Sequence, residues 1–223
     1  MVYSGVLLGG IGVLVETSAL QRESFNRAFQ EEGIDFEWDE ESYAASLSDA
    51  GGRTRLAKLR LADGSALTGD QVARVHERKT RLFDEAMVER GPELRPGVAA
   101  LIARARELSL PLGWASTTSR DNIDAIFEAA GDALAPDMFD FVGDVSLVDR
   151  PKPAPDIYRL ACERMGIETS RALAIEDSPT GIAAARAAGL EAIAFPGLMT
   201  RDQDYAAASR SVRSLDEVVP VLG

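Results

Sequence analysis

Beyond residue 94 the chain alternates between two kinds of segment, and this alternation restricts the fold more than any other feature. Short apolar runs at 110–115, 139–142, 172–175 and 191–195 are separated by amphipathic stretches at 121–130, 154–166 and 179–188. Brief apolar runs without polar alternation read as strands buried on both faces. Strands that alternate with helices must run parallel, because a parallel return requires a crossover. Gly166 and Gly189 stand where two of the helices should stop. The expectation is an α/β fold, a doubly wound parallel sheet covered by helices on both faces.

The front of the chain supplies one more strand and then departs from the pattern. Residues 6–8 and 13–15 are apolar runs split by Gly9, Gly10 and Gly12, which suggests a buried strand ending in a tight turn. From residue 18 to about 93 the periodicity is helical, with Leu20, Phe25, Phe29, Val72, Val75, Leu82 and Phe83 recurring at helix-like intervals among charged residues. Leu94-Arg95-Pro96-Gly97 marks the return, followed by an amphipathic helix carrying Val98, Leu101, Ile102 and Ala105. The expected organisation is a core of 1–17 and 94–223, with 18–93 inserted as an α-helical cap. At 223 residues and 46% hydrophobic content the chain can bury a full core plus such a module.

Ligands of open parallel sheets bind outside the carboxyl ends of the strands, so the residues there carry the chemistry. The first strand ends in Gly9-Gly10-Ile11, the next in Ser116-Thr117-Thr118, and the fourth in Glu176-Asp177-Ser178, while Lys152 lies between two prolines ahead of a helix. Hydroxyls, a lysine and an acid pair at successive strand ends suit a phosphoester with a magnesium ion. Lys152 and Ser116 would hold phosphate oxygens, and Glu176 and Asp177 would offer oxygen ligands to a hard cation. Each group has a plainer reading: Ser116 to Thr118 and Asp177-Ser178 as helix N-caps, and Lys152 as an exposed turn residue.

The formal charge of -12 disfavours a broad surface for nucleic acid or anionic membrane, so any phosphate ligand should be small and locally recognised. One cysteine, Cys162, excludes an internal disulfide, and with one histidine, His76, it excludes ordinary zinc clusters. The apolar start has no basic residue ahead of it and runs into Glu16, which fits neither signal peptide nor membrane anchor; a cytoplasmic protein is expected.

The motifs resemble those of the haloacid dehalogenase superfamily, in its CbbY-like and β-phosphoglucomutase-like branch of sugar-phosphate phosphatases and mutases. WASTTSRDNIDAIF resembles the family's second motif, RPKPAPDIY its lysine motif, and ALAIEDSPTGIAAARAAGL its acidic metal motif. ETSALQRESFNRAF, the turn from Asp49 to Arg53, and TRDQDY resemble the branch's cap and late segments. The resemblance implies a Rossmann-like core, Mg2+ as cofactor and a small phosphorylated metabolite as ligand. It also implies phosphate binding by Ser116, Thr117 and Lys152, a metal at Glu176 and Asp177, and a substrate-facing group of Glu16, Gln21 and Arg53.

The first motif departs from the pattern. The family form, hydrophobic-Asp-x-Asp-Gly followed by apolar residues and an acidic-Thr pair, falls without a gap on Leu8 to Thr17 and places the nucleophile at Gly9 and the acid/base at Ile11. Glycine has no group to form an aspartyl-phosphate, and isoleucine moves no proton. The nucleophile also ligates magnesium in the family, so Gly9 should weaken the metal site. Gln21 stands where related caps carry histidine, and Arg53 where the glycine turn precedes lysine. The expectation is a phosphosugar-binding protein impaired in catalysis. The alternatives are a working Mg2+-dependent phosphatase with altered chemistry and a regulatory scaffold with a protein partner. A dinucleotide oxidoreductase fits poorly, because Val15 occupies the third glycine position of a G-x-G-x-x-G loop.

Overall fold

The computed structural model describes residues 3–47, 51–198 and 200–223. Its sheet has six parallel strands: β1 (Gly5–Leu8), β2 (Leu112–Ala115), β3 (Phe141–Gly143), β4 (Ala172–Glu176), β5 (Glu191–Ala194) and β6 (Arg210–Ser211), in the order β3-β2-β1-β4-β5-β6. The doubly wound parallel sheet is thus present. β1 and β4 are adjacent, and the chain leaves them toward opposite edges. That reversal opens a crevice at their carboxyl ends.

Strand identity follows from burial. All residues of β1, β2 and β4 are buried, as both-face coverage by helices requires. The helices associated with the core are α1 (Ile11–Leu14), α6 (Val98–Glu107), α7 (Arg120–Ala130), α8 (Asp156–Met165) and α9 (Pro179–Ala188). α9 is rich in alanine, and its Ala184, Ala185 and Ala188 pack with Leu7, Ala174 and Ala192 in one apolar cluster. Small side chains there let helix and sheet approach closely.

Several boundaries differ from the sequence reading, the third strand among them, which starts at Phe141. The glycine-split segment after β1 is not a second half-strand: Ile11–Leu14 forms one helical turn, and only Val15 returns to extended pairing, bridging Leu94. The second strand begins at Leu112, and the helix after the lysine motif begins at Asp156.

The chain divides into two compact units, Met1–Glu16 with Pro92–Gly223, and Thr17–Gly91. Within the second, the described helices are α2 (Ser18–Glu31), α3 (Glu40–Ser46), α4 (Gly52–Lys58) and α5 (Gly69–Arg90). α5 starts at a capping box, with the Thr68 side chain and Gln71 satisfying each other's backbone, and ends at Gly91. Trp38 anchors this unit. Its ring lies edge-on to Phe25 at 5.0 Å and to Phe29 at 5.3 Å, with Tyr43 at 5.6 Å. Among the described residues no helix is long and apolar enough to cross a membrane.

Candidate functional site

The register places the site. Leu8 pairs with Trp114 on one side and Ile175 on the other, so Gly9, Ala115 and Glu176 stand level, with Ser116 and Asp177 one residue further out. Lys152 enters from the β3–α8 connection, donating to Gly9 O at 2.7 Å and to Glu176 Oε1 at 2.6 Å. Gly9, Lys152 and Glu176 are in direct contact; Ser116, Thr117, Ile11 and Asp177 follow the carboxyl ends of the same central strands.

The plainer readings of Ser116 and Lys152 do not hold, whereas that of Asp177-Ser178 as a helix N-cap holds at Ser178. The N-cap of α7 is Ser119, accepting from Asn122 N, which leaves Ser116 buried at the strand end with its Oγ accepting from Thr118 N at 3.1 Å. Ser178, not Asp177, caps α9 through Gly181 N. The Lys152 side chain is 11% exposed, so it is no surface turn residue.

Glu176 is the centre of the arrangement. Its Oε1 also accepts from the Tyr158 hydroxyl at 2.5 Å, and Oε2 accepts from Asp177 N at 3.2 Å. A Cβ at Gly9 would lie 2.1 Å from both Cδ and Oε1 of Glu176, and one at Gly181 would lie 2.0 Å from its Cδ. The carboxyl group therefore fills space that any side chain at position 9 would need. With no carboxylate at position 9, Lys152 pairs with Glu176 instead.

Asp177 lies against the same loop, its Oδ2 2.1 Å from where a Gly12 Cβ would be. Burial and the neighbouring Glu176 push its carboxyl up to about 7, against the pull of Lys152 and Arg95. Its backbone carbonyl accepts from Thr200 Oγ1 at 3.0 Å and Tyr205 OH at 2.5 Å. The late segment carrying TRDQDY thus braces the acidic motif.

Two residues were missed by the sequence reading. Arg95 is buried and donates to the carbonyls of Gly12, Phe195 at 2.8 Å and Pro196 at 2.6 Å, its guanidinium 3.5 Å over the Phe195 ring. It was hidden in a turn sequence, where a buried cation gives no periodic signal. Tyr158 was given no role of its own as the last residue of the lysine motif RPKPAPDIY. The available clue was its hydroxyl, which must find a partner when the ring is buried.

Glu16 is held within the core unit, where its Oε2 accepts from Leu198 N at 3.0 Å. Gln21 and Arg53 belong to the helical unit. Gln21 Oε1 accepts from Lys79 Nζ, and Lys79 is itself buried, with burial and Arg55 lowering its ammonium to about 8. Arg53 is exposed, and it and Lys79, together with burial, keep His76 below its usual range. In the turn expected from Asp49 to Arg53, Asp49 and Ala50 lie outside the described residues.

The donor set does not fit the magnesium that the motifs imply. Of the two acids assigned to it, Glu176 is committed to an ammonium and a phenol and Asp177 stands beside it; positions 9 and 11 offer no side-chain oxygen, and among the described residues no group of three or more Asp, Glu, His or Cys side chains is placed to hold a metal.

A doubly wound sheet with a charged cluster at its switch point, its chain interrupted after the first strand by a unit whose described elements are mainly helices, defines an α/β protein of the haloacid dehalogenase architecture. Residues 11–189 match the family of haloacid dehalogenase-like hydrolases, and the chain belongs to that family. The match begins two residues after Gly9. CbbY of Cereibacter sphaeroides is 38% identical over 212 residues, covering 95% of this chain and 92% of its own length, and the plasmid CbbY of Cupriavidus necator is 39% identical over 202 residues, covering 88% and 80%. The crystal structure of CbbY from Rhodobacter sphaeroides in complex with phosphate superposes with a TM-score of 0.81 at 37% identity, covering 98% of this chain and 96% of that one. An aspartate-to-asparagine variant of that protein, in complex with xylulose-(1,5)bisphosphate, gives 0.80 at 37% identity, covering 97% and 96%.

Proposed function

We propose that this chain binds the phosphate group of a small phosphorylated sugar at the strand-end site of its core unit, and that it does not cleave the ester through the aspartyl-phosphate route of its family. One observation carries the reading: a buried lysine sits at the switch point beside a backbone position whose side chain, the family nucleophile, is only a hydrogen. Lys152 supplies charge, and Ser116 and Thr117, at the carboxyl end of the neighbouring strand, are proposed to supply hydroxyl donors. The complexes of the CbbY relatives with phosphate and a sugar bisphosphate support this ligand class. Glu16 of the core unit, and Gln21 and Arg53 of the helical unit, are each proposed as substrate residues within their own unit; in the helical unit the cationic set of Arg53, Arg55 and Lys79 around His76 suits an anionic group.

Without carboxylates at 9 and 11 the side chains that attack phosphorus and protonate the leaving oxygen in the family's route are both missing. Magnesium has no role in this reading, because the donor set does not fit it.

Calorimetric titration with xylulose 1,5-bisphosphate and with a sugar monophosphate checks the binding half. The unmodified chain should give saturable binding that weakens at least about tenfold in Lys152→Met, since a charge-assisted hydrogen bond is removed. Equal affinity in both proteins, or no binding to the unmodified chain, would sink this assignment.

A further inference from the structure

The phosphate-holding role of Lys152 leaves open what occupies its site when no ligand is present, and the geometry supplies the answer. The Glu176 side chain is 1% exposed. Its Oε1 takes hydrogen bonds from Lys152 Nζ and from the Tyr158 hydroxyl, while the Gly9 and Gly181 backbones close in on the carboxyl group from two sides. Tyr158 is fully buried, so its hydroxyl has no alternative partner in solvent. A carboxylate held by an ammonium and a phenol presents the donors with the charge and oxygen spacing of one edge of a phosphate. All of its oxygens are engaged, which marks an occupant of the seat and not an attacking group.

We propose that Glu176 is the resident anion of a seat formed by Lys152 and Tyr158, so that an external phosphate or phosphomonoester enters by displacing it, with Tyr158 then serving as a second donor. This rests on the phosphate-binding reading above. Gly9 is the enabling residue, because a side chain there would exclude the Glu176 carboxyl from its present position. Binding to the unmodified chain is then a competition between two anions for the same donors, and affinity is set by how easily Glu176 turns away.

The test is calorimetric titration of inorganic phosphate, at constant ionic strength, into the full-length unmodified chain and the variants Glu176→Ala, Glu176→Gln and Asp177→Asn. Emptying the seat in Glu176→Ala should tighten binding at least about tenfold, whereas Asp177→Asn, a neighbouring substitution outside the seat, should change it less than about threefold. Glu176→Gln retains the volume and a polar partner for Lys152, so it should fold even if the alanine variant does not, and should gain more than Asp177→Asn. Adding Tyr158→Phe to Glu176→Ala should cost several-fold in affinity. Equal gains in the Glu176 and Asp177 variants, no gain in either Glu176 variant, or no loss on removing the Tyr158 hydroxyl would overturn the proposal. Retention of binding in Glu176→Ala/Lys152→Met would instead overturn the placement of phosphate at Lys152, so the two failures are distinct.

Discussion

Replacing Gly9 and Ile11 together by aspartate is expected to raise the release of phosphate from sugar phosphates, in the presence of Mg2+, by at least about 10³-fold over the unmodified chain. The first substitution supplies a nucleophile and the second an acid/base worth roughly 10²–10⁴ by itself. The new carboxylate at position 9 must take space now filled by Glu176, whose carboxyl lies 2.1 Å from the Cβ position. That clash is with the far end of a flexible side chain, and turning Glu176 outward also frees it for a cation. Gly9→Asp alone should reach only a small fraction of the double variant's rate, and Ile11→Asp alone should gain nothing. A folded double variant with no gain would mean that more than the two carboxylates has been lost.

The second large effect is on stability. Arg95 ties the loop after β1 to the loop after β5 through three carbonyls, and its own amide donates to Leu14 O at 2.9 Å. Methionine preserves much of the volume and the contact with Phe195, and it relieves the desolvation cost that lowers the arginine's affinity for its proton. Against this relief stand three carbonyls at a buried loop junction left without their charged donor, each costing about 1–3 kcal/mol. The loss wins, and Arg95→Met should destabilise the core unit by about 2–4 kcal/mol; Arg95→Lys, with a point charge instead of a fork, should fall between. The two tryptophans separate the units, since Trp114 lies in the core and Trp38 in the helical unit. Urea unfolding followed by fluorescence in a Trp38→Phe background therefore reports the core. A loss below about 1 kcal/mol would show that the three contacts are not energetically coupled to the fold.

Much of this architecture was readable from the chain because burial on both faces leaves short, wholly apolar runs such as Leu173 to Ile175, separated by helices with clear stops at Gly166 and Gly189. What escaped was structure without periodicity. β6 is two exposed residues, Arg210–Ser211, on the edge of the sheet, and Ile11–Leu14 is a single helical turn whose apolar residues and glycines read equally well as strand and turn. The strand-end residues Ser116, Glu176 and Asp177 were identifiable because each is polar beside an apolar run, and Lys152 because it lies between two prolines ahead of a helix. Their partnerships were not. That Glu176 faces Lys152 and Tyr158 depends on a side-chain rotation permitted by Gly9, which lies 167 residues away in sequence.

The central claim is that the site keeps its phosphate-holding cation while lacking the groups that break the ester. Its most direct test is a phosphatase assay of the unmodified chain with Mg2+, over a panel of sugar phosphates that includes xylulose 1,5-bisphosphate, beside Lys152→Met prepared in the same way. The expected result is phosphate release indistinguishable from that of Lys152→Met. Turnover of about 1 s⁻¹ or more, the ordinary range of enzymes, lost in Lys152→Met, would contradict it.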